Sequence, residues 1–191
     1  CIRDSPYVPS KKDTLFFISS MPGLKQKTML ALLYSSGLRI SELCNLRCED
    51  IDRSNMRLHI TRTKNRQDRY AILSRNALKL LIRYWHGCGK PMGFLFPKQN
   101  GQDKPIDTFF LLRHIHALED RLGWERRLTC HSFRHAFGTH LYEDGVDLLT
   151  IKALLGHKSL HSTTVYVHLA HHGTDSAVSP LDSGTGGEFH G

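Results

Sequence analysis

The sequence predicts a mixed α+β fold that is mainly helical and contains a small antiparallel β-hairpin or sheet. Along much of the chain, apolar side chains recur at three- and four-residue spacing, as they do on the buried face of an α-helix. Between residues 56 and 73 the spacing changes to alternation on either side of a polar turn, which is typical of a hairpin. With 191 residues, 40% of them hydrophobic, the chain is large enough to bury one core of ordinary size.

The first predicted helix follows a stretch that contains prolines. Residues 1–10 carry two prolines and no periodic pattern, so we interpret them as the remnant of an interdomain linker and expect the chain to be a fragment. Ser10 followed by Asp13 is typical of a helix N-terminus. The helix should extend through Ser20, because Pro22 and the glycine after it favour a break.

A second helix is predicted over residues 24–36 from its dense apolar content, with Gly37 as its C-terminal cap. Arg39 follows directly and should lie at a helix junction. Ser41 and Glu42 then open a short helix whose apolar residues repeat at helical spacing.

The predicted hairpin comes next. Its alternating apolar residues are Met56, Leu58 and Ile60 before the polar turn and Tyr70, Ile72 and Leu73 after it. Lys64 should lie at the tip of the turn, and the segment FLFP at residues 94–97 is a candidate third strand.

Capping residues divide the rest of the chain into five further helices, predicted over residues 74–86, 107–122, 128–144, 147–155 and 163–170. Ser74 and Asp107 are good N-caps, and Gly123 and Gly145 are typical helix stops. After residue 170 the sequence is rich in Gly, Ser and Thr and has few large apolar residues, so we expect residues 171–191 to be a disordered tail. Residues 11–170 then form the single globular domain.

The charge balance favours a polyanionic partner. Lys and Arg number 26 against 18 Asp and Glu, which gives a net charge of +8 and a pI near 9.4. The five cysteines include no CxxC pair and resemble neither a disulfide framework nor a zinc ribbon, as expected in a reducing compartment. No apolar run approaches the roughly 18 residues of a membrane span, so the sequence predicts a soluble, cytoplasmic protein that does not act at membranes.

Five side chains could together break a phosphodiester without a metal. HSFRH places His131 three residues before Arg134, and LLGHKS, STTVYVH and SSGLRISEL contribute His157, Tyr166 and Arg39. Negative charge grows on the phosphate oxygens in the transition state, so cationic and hydrogen-bond-donating groups are what catalysis needs. A phenol can act as the nucleophile and form a phosphotyrosyl link.

Each of these residues alone also has an ordinary structural explanation. Arg134 could be solvated on an amphipathic helix that Phe133 and Phe137 anchor in the core, His157 could satisfy carbonyls at a helix end, and Tyr166 could be a half-buried core residue. The order and spacing of the whole set are more specific, with 23 residues from Arg134 to His157 and nine from His157 to Tyr166.

Four strings place these residues in a family context: SSGLRISELCNL, ITRTKNR, HSFRHAFGTHL and IKALLGHKSLHSTTVYVH. Box by box, they resemble the catalytic domain of tyrosine recombinases, the phage-integrase and Xer-like family, and the likeness covers residues 24–168. The resemblance implies the tyrosine recombinase catalytic-domain fold. It also implies site-specific recombination of double-stranded DNA by cleavage and rejoining through a 3′-phosphotyrosyl intermediate, with no cofactor.

The same resemblance implies a role for each residue. Arg39 and Arg134 should grip the non-bridging oxygens of the scissile phosphate, and His157 should donate a further hydrogen bond. Tyr166 should attack in line. His131 is the expected proton acceptor from the phenol, or a hydrogen-bond partner that orients it.

In this family a hairpin lysine acts as the general acid on the departing 5′-oxygen, so Lys64 is the matching candidate. The same turn region also offers Arg62, Arg66 and Arg69 as cations. Glu42 matches an acidic position that braces the site, while its structural explanation is a first-turn carboxylate favoured by the helix dipole.

A metal site is the alternative use of the histidines. His131 lies four residues before His135, and His171 adjoins His172, but HExxH is absent and no acidic third ligand stands at a telling spacing. We therefore expect no catalytic metal.

Two other functions stay open. One is a DNA-binding remnant of a mobile-element integrase that has lost turnover, although all six catalytic positions are filled. The other is relaxation of supercoils in the manner of a type IB topoisomerase. Recombination implies a homotetramer of the full-length protein in the synaptic complex, and a monomer for this fragment.

Overall fold

The computed structural model describes residues 7–61, 68–98, 104–157 and 159–170, and these confirm the mainly helical α+β class. The described helices are α1 (Lys11–Ser20), α2 (Leu24–Ser36), α3 (Ile40–Cys44), α4 (Arg75–Gly87), α5 (Thr108–Leu122), α6 (Cys130–Glu143), α7 (Leu148–Leu155) and α8 (His161–Leu169). A three-stranded antiparallel sheet has the order β1 (Ile51–Asp52), β2 (Arg57–Ile60) and β3 (Arg69–Ile72). The predicted tail lies outside the described residues, as does most of the predicted linker.

The helix ends follow the capping residues closely. The Ser10 hydroxyl accepts a hydrogen bond from the Asp13 backbone N–H at 3.1 Å, and Ser74 does the same for Ala77 at 3.0 Å. Thr129 caps α6, so this helix begins at Cys130, two residues later than predicted. These bonds satisfy backbone donors that have no partner within the helix.

Gly37 ends α2 and brings it close to α6. Its φ of 59° lies in the left-handed region, and a Cβ at this position would lie 2.4 Å from the Phe137 ring. The backbone conformation and the close approach both require glycine. This turn leads directly to Arg39.

The hairpin forms as predicted, but the faces of its second strand are reversed. Tyr70 and Ile72 are 55% and 40% exposed, whereas Arg69 and Ala71 are buried. The cause is the register, which pairs Ile60 with Arg69 and Leu58 with Ala71, so that each pair shares the core-facing side.

The prediction of a third strand at residues 94–97 is wrong. The two ends of this segment form isolated bridges, Phe94 with Arg47 and Pro97 with Pro105, and the third strand of the described sheet is β1. Pro97 cannot donate a ladder hydrogen bond, which disfavours a regular strand there. Leu95 and Phe96 are buried in the core instead.

The core consists of two apolar clusters that α6 connects. Phe133 lies in the larger cluster, and Phe137 lies in a smaller one with Ile151, Leu155 and Tyr166. The predicted anchoring of α6 by Phe133 and Phe137 is thus confirmed. Among the described helices, none combines the length and apolar content that crossing a lipid bilayer requires.

Candidate active site

Arg134 links two helix ends at the centre of the site. The residue is 4% exposed, and its guanidinium donates hydrogen bonds to the carbonyl oxygens of Gly37 and Leu155, the latter at 2.6 Å. Both carbonyls belong to helix C-termini, which need donors and favour positive charge. Burial and the neighbouring Arg39 lower the pKa of Arg134 to about 10, so it remains a cation at pH 7.

Arg39 lies at the junction of α2 and α3, as predicted. Its Nη1 donates to Glu42 Oε1 at 2.8 Å, and its backbone N–H donates to Oε2 at 2.9 Å. Burial alone would raise the pKa of Glu42, but Arg69 and Arg39 hold it below its ordinary value. Glu42 is therefore a carboxylate that orients Arg39.

Arg69 is a component of the site that the sequence did not single out. Its Nη2 donates to Glu42 Oε2 at 2.8 Å, and its Nη1 donates to the Leu154 carbonyl at 2.6 Å. From the sequence alone, it is only an alternative cation of the hairpin turn. The alternation of Tyr70 and Ile72 in the sequence favours the opposite face of the strand, and only the register with β2 shows that Arg69 points inward.

His157 follows α7 directly, after Gly156, whose φ of 61° ends the helix. Its Nδ1 lies 3.0 Å from the hydroxyl of the buried Thr163, so a hydroxyl that donates to Nδ1 leaves the Nε2 N–H free to donate elsewhere. Burial, with the positive charges of Arg134 and Arg39, lowers the pKa of His157 to about 4. The imidazole is therefore neutral at pH 7.

This lowered pKa predicts a pH-dependent stability. The unfolded chain protonates His157 near its ordinary value of 6.5, whereas the folded chain resists protonation down to about 4. Because the unfolded state binds more protons in this window, the free energy of unfolding should fall as the pH drops from 6.5 towards 4. In urea titrations, the free energy of unfolding should therefore differ less between pH 7 and pH 5 for His157→Gln than for the wild-type chain. The matched variant His86→Gln, at an exposed position on α4, should keep the wild-type fall; equal falls in both variants would refute the assignment.

Tyr166 lies beside His157 in the smaller core cluster. It is 1% exposed, and its ring is nearly parallel to that of His157, with centroids 6.2 Å apart. Burial raises the pKa of Tyr166, although Arg134 and Arg39 act in the opposite direction. The phenol is protonated at pH 7 and must lose its proton to act as a nucleophile.

Gly138 on α6 packs directly against the ring of Tyr166. A Cβ at Gly138 would lie 2.5 Å from Cζ of Tyr166, whereas one at Gly87 would meet no atom within 4 Å. Alanine normally stabilises a helix relative to glycine by about 0.5–1 kcal/mol, but overpacking a core costs about 1–3 kcal/mol. The overpacking cost should outweigh the helix gain, so Gly138→Ala should lower the free energy of unfolding by up to about 2.5 kcal/mol in urea titrations. Gly87→Ala should leave it unchanged or raise it, and equal behaviour of the two variants would show that the ring does not rest on Gly138.

His131 and His135 lie one turn apart on α6. Their ring centroids are 6.4 Å apart, and His135 is 6.0 Å from the Tyr166 ring, so His135 lies towards the tyrosine. Burial of part of each ring, and the nearby charges, which include Arg134, lower the pKa of both histidines. The Nδ1 atom of His135 is buried and has no hydrogen-bond partner among the described residues. The sequence offered this histidine only as a metal ligand.

Lys64, the sixth predicted residue, lies outside the described residues, between β2 and β3. Beside Arg39, a cleft of about 400 Å³ opens between α3 and β2, and its lining includes Arg47, His59 and Thr61. Within the described part of the chain, no three His, Cys, Asp or Glu side chains converge closely enough to hold a metal ion. The structure thus brings Arg39, Arg134, His131, His157 and Tyr166 into one neighbourhood, which can surround an anion with donors next to a phenol.

The chain is similar in sequence to known proteins. A sequence profile of the phage integrase family matches residues 14–172. A tyrosine recombinase of Pseudothermotoga lettingae is 36% identical over 163 residues, which are 85% of this chain and 56% of the relative. Tyrosine recombinase XerD of Pseudomonas aeruginosa is 35% identical over 156 residues, 78% of this chain and 51% of the relative. The chain therefore spans about half the length of these relatives.

Solved structures share the fold. The crystal structure of XerA recombinase superimposes with a TM-score of 0.79 at 26% identity, covering 87% of this chain and 61% of XerA. The XerH recombinase bound to its palindromic difH substrate, in a post-cleavage complex, has a TM-score of 0.75 at 22% identity. That match covers 88% of this chain and 51% of XerH. The predicted catalytic-domain fold is confirmed.

Proposed function

The chain belongs to the phage integrase family, and from this premise we propose that it cuts and rejoins DNA at specific sites through a covalent link between Tyr166 and a 3′-phosphate. The observation that carries the proposal is the convergence of Arg39, Arg134 and His157, from three separate parts of the chain, on the buried Tyr166. The similar structure of the Tn1549 transposon integrase, which was solved in complex with circular intermediate DNA, supports DNA as the partner.

In the proposed mechanism, Arg39 and Arg134 hold the non-bridging oxygens of the scissile phosphate. A guanidinium has five N–H donors, so Arg134 can keep its bonds to the Gly37 and Leu155 carbonyls and still donate to the phosphate. The neutral His157 donates a hydrogen bond from its Nε2–H to the same phosphate. These groups stabilise the charge that develops as the phosphorus is attacked.

Attack by Tyr166 requires transfer of two protons. The phenol oxygen forms a bond to phosphorus while its proton passes to His131, which is neutral and more exposed than Tyr166. The bond from phosphorus to the 5′-oxygen breaks, and Lys64 gives that oxygen a proton, which would contribute about 10²- to 10⁴-fold to the rate. Attack by a 5′-hydroxyl then reverses the step and releases Tyr166.

We further propose that residues 11–170 form the catalytic unit and that the protein acts on double-stranded DNA in the cytoplasm. Pairing of two DNA sites requires four active sites, so the recombining assembly would be a homotetramer. The net charge of +8 supports binding to the phosphate backbone.

The proposal is tested by trapping the covalent intermediate. Nicked duplexes with a randomised central sequence lose the short 5′-hydroxyl strand after cleavage, so rejoining is prevented and the adduct accumulates. We expect a protein–DNA band that survives denaturing electrophoresis, with the protein joined to the 3′ end of the cut. Absence of any adduct at micromolar protein and low salt, or linkage to the 5′ end, would refute the proposal.

A further inference from the structure

We propose that Arg69 is a positioning residue for strand cleavage, which acts on Arg39 through Glu42 and on His157 through the C-terminal end of α7. This inference rests on the proposed DNA-cleaving function. Arg69 does not need to touch DNA in this role, because it holds two residues that do.

The Nη2 group of Arg69 holds Glu42, the carboxylate that binds Arg39. Its Nη2 donates to Glu42 Oε2 at 2.8 Å, and the other oxygen of the same carboxylate accepts from Arg39 Nη1 at 2.8 Å. The side chains of Arg69 and Glu42 are 8% and 10% exposed, so little water competes for these bonds. Buried, charge-assisted pairs of this kind hold a side chain in one orientation.

The Nη1 group of Arg69 binds the last turn of α7, which leads to His157. Arg69 Nη1 donates to the Leu154 carbonyl at 2.6 Å, and Arg134 donates to the next carbonyl, that of Leu155, also at 2.6 Å. Two arginines from different elements therefore cap consecutive carbonyls at the end of α7. Positive charge is favourable at a helix C-terminus, and the paired caps restrain the turn that carries His157.

Arg69 also contributes to the net positive charge around the proposed position of the phosphate. Arg39, Arg69 and Arg134 carry three positive charges, and Glu42 removes one, which leaves these four side chains with a net charge of +2. Without Arg69 the net charge falls to +1, and Glu42 draws more strongly on Arg39. The guanidinium of Arg39 would then turn towards the carboxylate and away from the phosphate.

These effects act on the reaction more than on DNA binding. A misplacement of about 1 Å in a catalytic group can cost about 10²-fold in rate. We expect Arg69→Gln to lower the single-turnover cleavage rate by about 10²-fold. The dissociation constant for DNA should change by less than about threefold, because Arg69 lies inside the protein and most DNA affinity comes from direct phosphate contacts.

Two further variants separate positioning from a loss of folding. Arg69→Lys keeps the charge but cannot span Glu42 and Leu154 with one ammonium, so we expect an intermediate loss of about tenfold. Arg57→Gln makes the same change at an exposed position on the neighbouring strand β2 and should cleave at the wild-type rate. Circular dichroism at the assay temperature checks that each variant is folded.

A double-mutant cycle with Glu42→Gln tests the connection. If Arg69 acts partly through Glu42, the double variant should lose clearly less than the product of the two single losses. An Arg69→Gln rate within twofold of the wild-type rate, or a loss that appears wholly in DNA affinity, would overturn the inference. Strictly multiplicative losses would overturn the link through Glu42. Absence of an adduct from the wild-type chain would instead overturn the proposed function, and the role of Arg69 with it.

Discussion

Replacing Arg134 by lysine should reduce the single-turnover cleavage rate by about 10³-fold and also destabilise the fold. The guanidinium contacts carbonyls on two helix ends and is proposed to contact the phosphate as well. A single ammonium cannot reach all three. Removal of one preorganised donor from a transition state costs about 10²- to 10³-fold in rate.

The same substitution leaves a buried carbonyl, Gly37 or Leu155, without its donor. An unsatisfied buried polar group costs about 1–3 kcal/mol, so the free energy of unfolding should fall by that amount in urea titrations. Arg113→Lys, on the exposed face of α5, is the matched control and should change neither quantity. An Arg134→Lys variant that cleaves within tenfold of the wild-type rate with unchanged stability would show that Arg134 does not bridge the two helix ends.

Replacing Tyr166 by phenylalanine should abolish the covalent adduct and leave DNA affinity near the wild-type value. The substitution removes the nucleophilic oxygen but keeps the ring that rests on Gly138 and lies alongside His157. Because the phenol oxygen forms the proposed bond to phosphorus, the loss should reach the detection limit of the trapping assay.

The control for this change is Tyr142→Phe, at a half-buried position near the end of α6. It should form the adduct at the wild-type rate. If Tyr166→Phe forms as much adduct as the wild-type chain, Tyr166 is not the nucleophile. If it binds DNA much more weakly, the phenol has a role in binding that the proposed mechanism does not include.

The helices could be predicted from the sequence because their ends are set locally. Ser10, Ser74 and Gly37 are capping residues whose effect depends on the few residues around them. The reversed faces of β3 could not be predicted in the same way. Whether Tyr70 or Arg69 points inward depends on the strand opposite and on a buried partner for the arginine.

The residues of the candidate site also fall into two groups, those that a local sequence motif predicts and those whose role depends on distant contacts. Arg39, Arg134, His157 and Tyr166 stand at spacings that a linear motif records, and the structure brings them together. No linear motif marks Arg69 as a site residue, because its role depends on contacts with Glu42 and Leu154, 27 and 85 residues away. The role of Gly138 also depends on a distant contact. The sequence does not show why a glycine stands in this helix, and the structure shows that the Tyr166 ring packs against it. Lys64 remains a prediction.

The most direct test of the proposed mechanism is to identify the residue that is joined to DNA in the trapped adduct. Trypsin cleaves after Lys158 and then releases residues 159–191 as one peptide, in which Tyr166 is the only tyrosine. After nuclease digestion, mass spectrometry should find a nucleotide 3′-phosphate on this peptide, with fragmentation that assigns it to Tyr166. A nucleotide on any other peptide, or attachment through a 5′-phosphate, would contradict the mechanism.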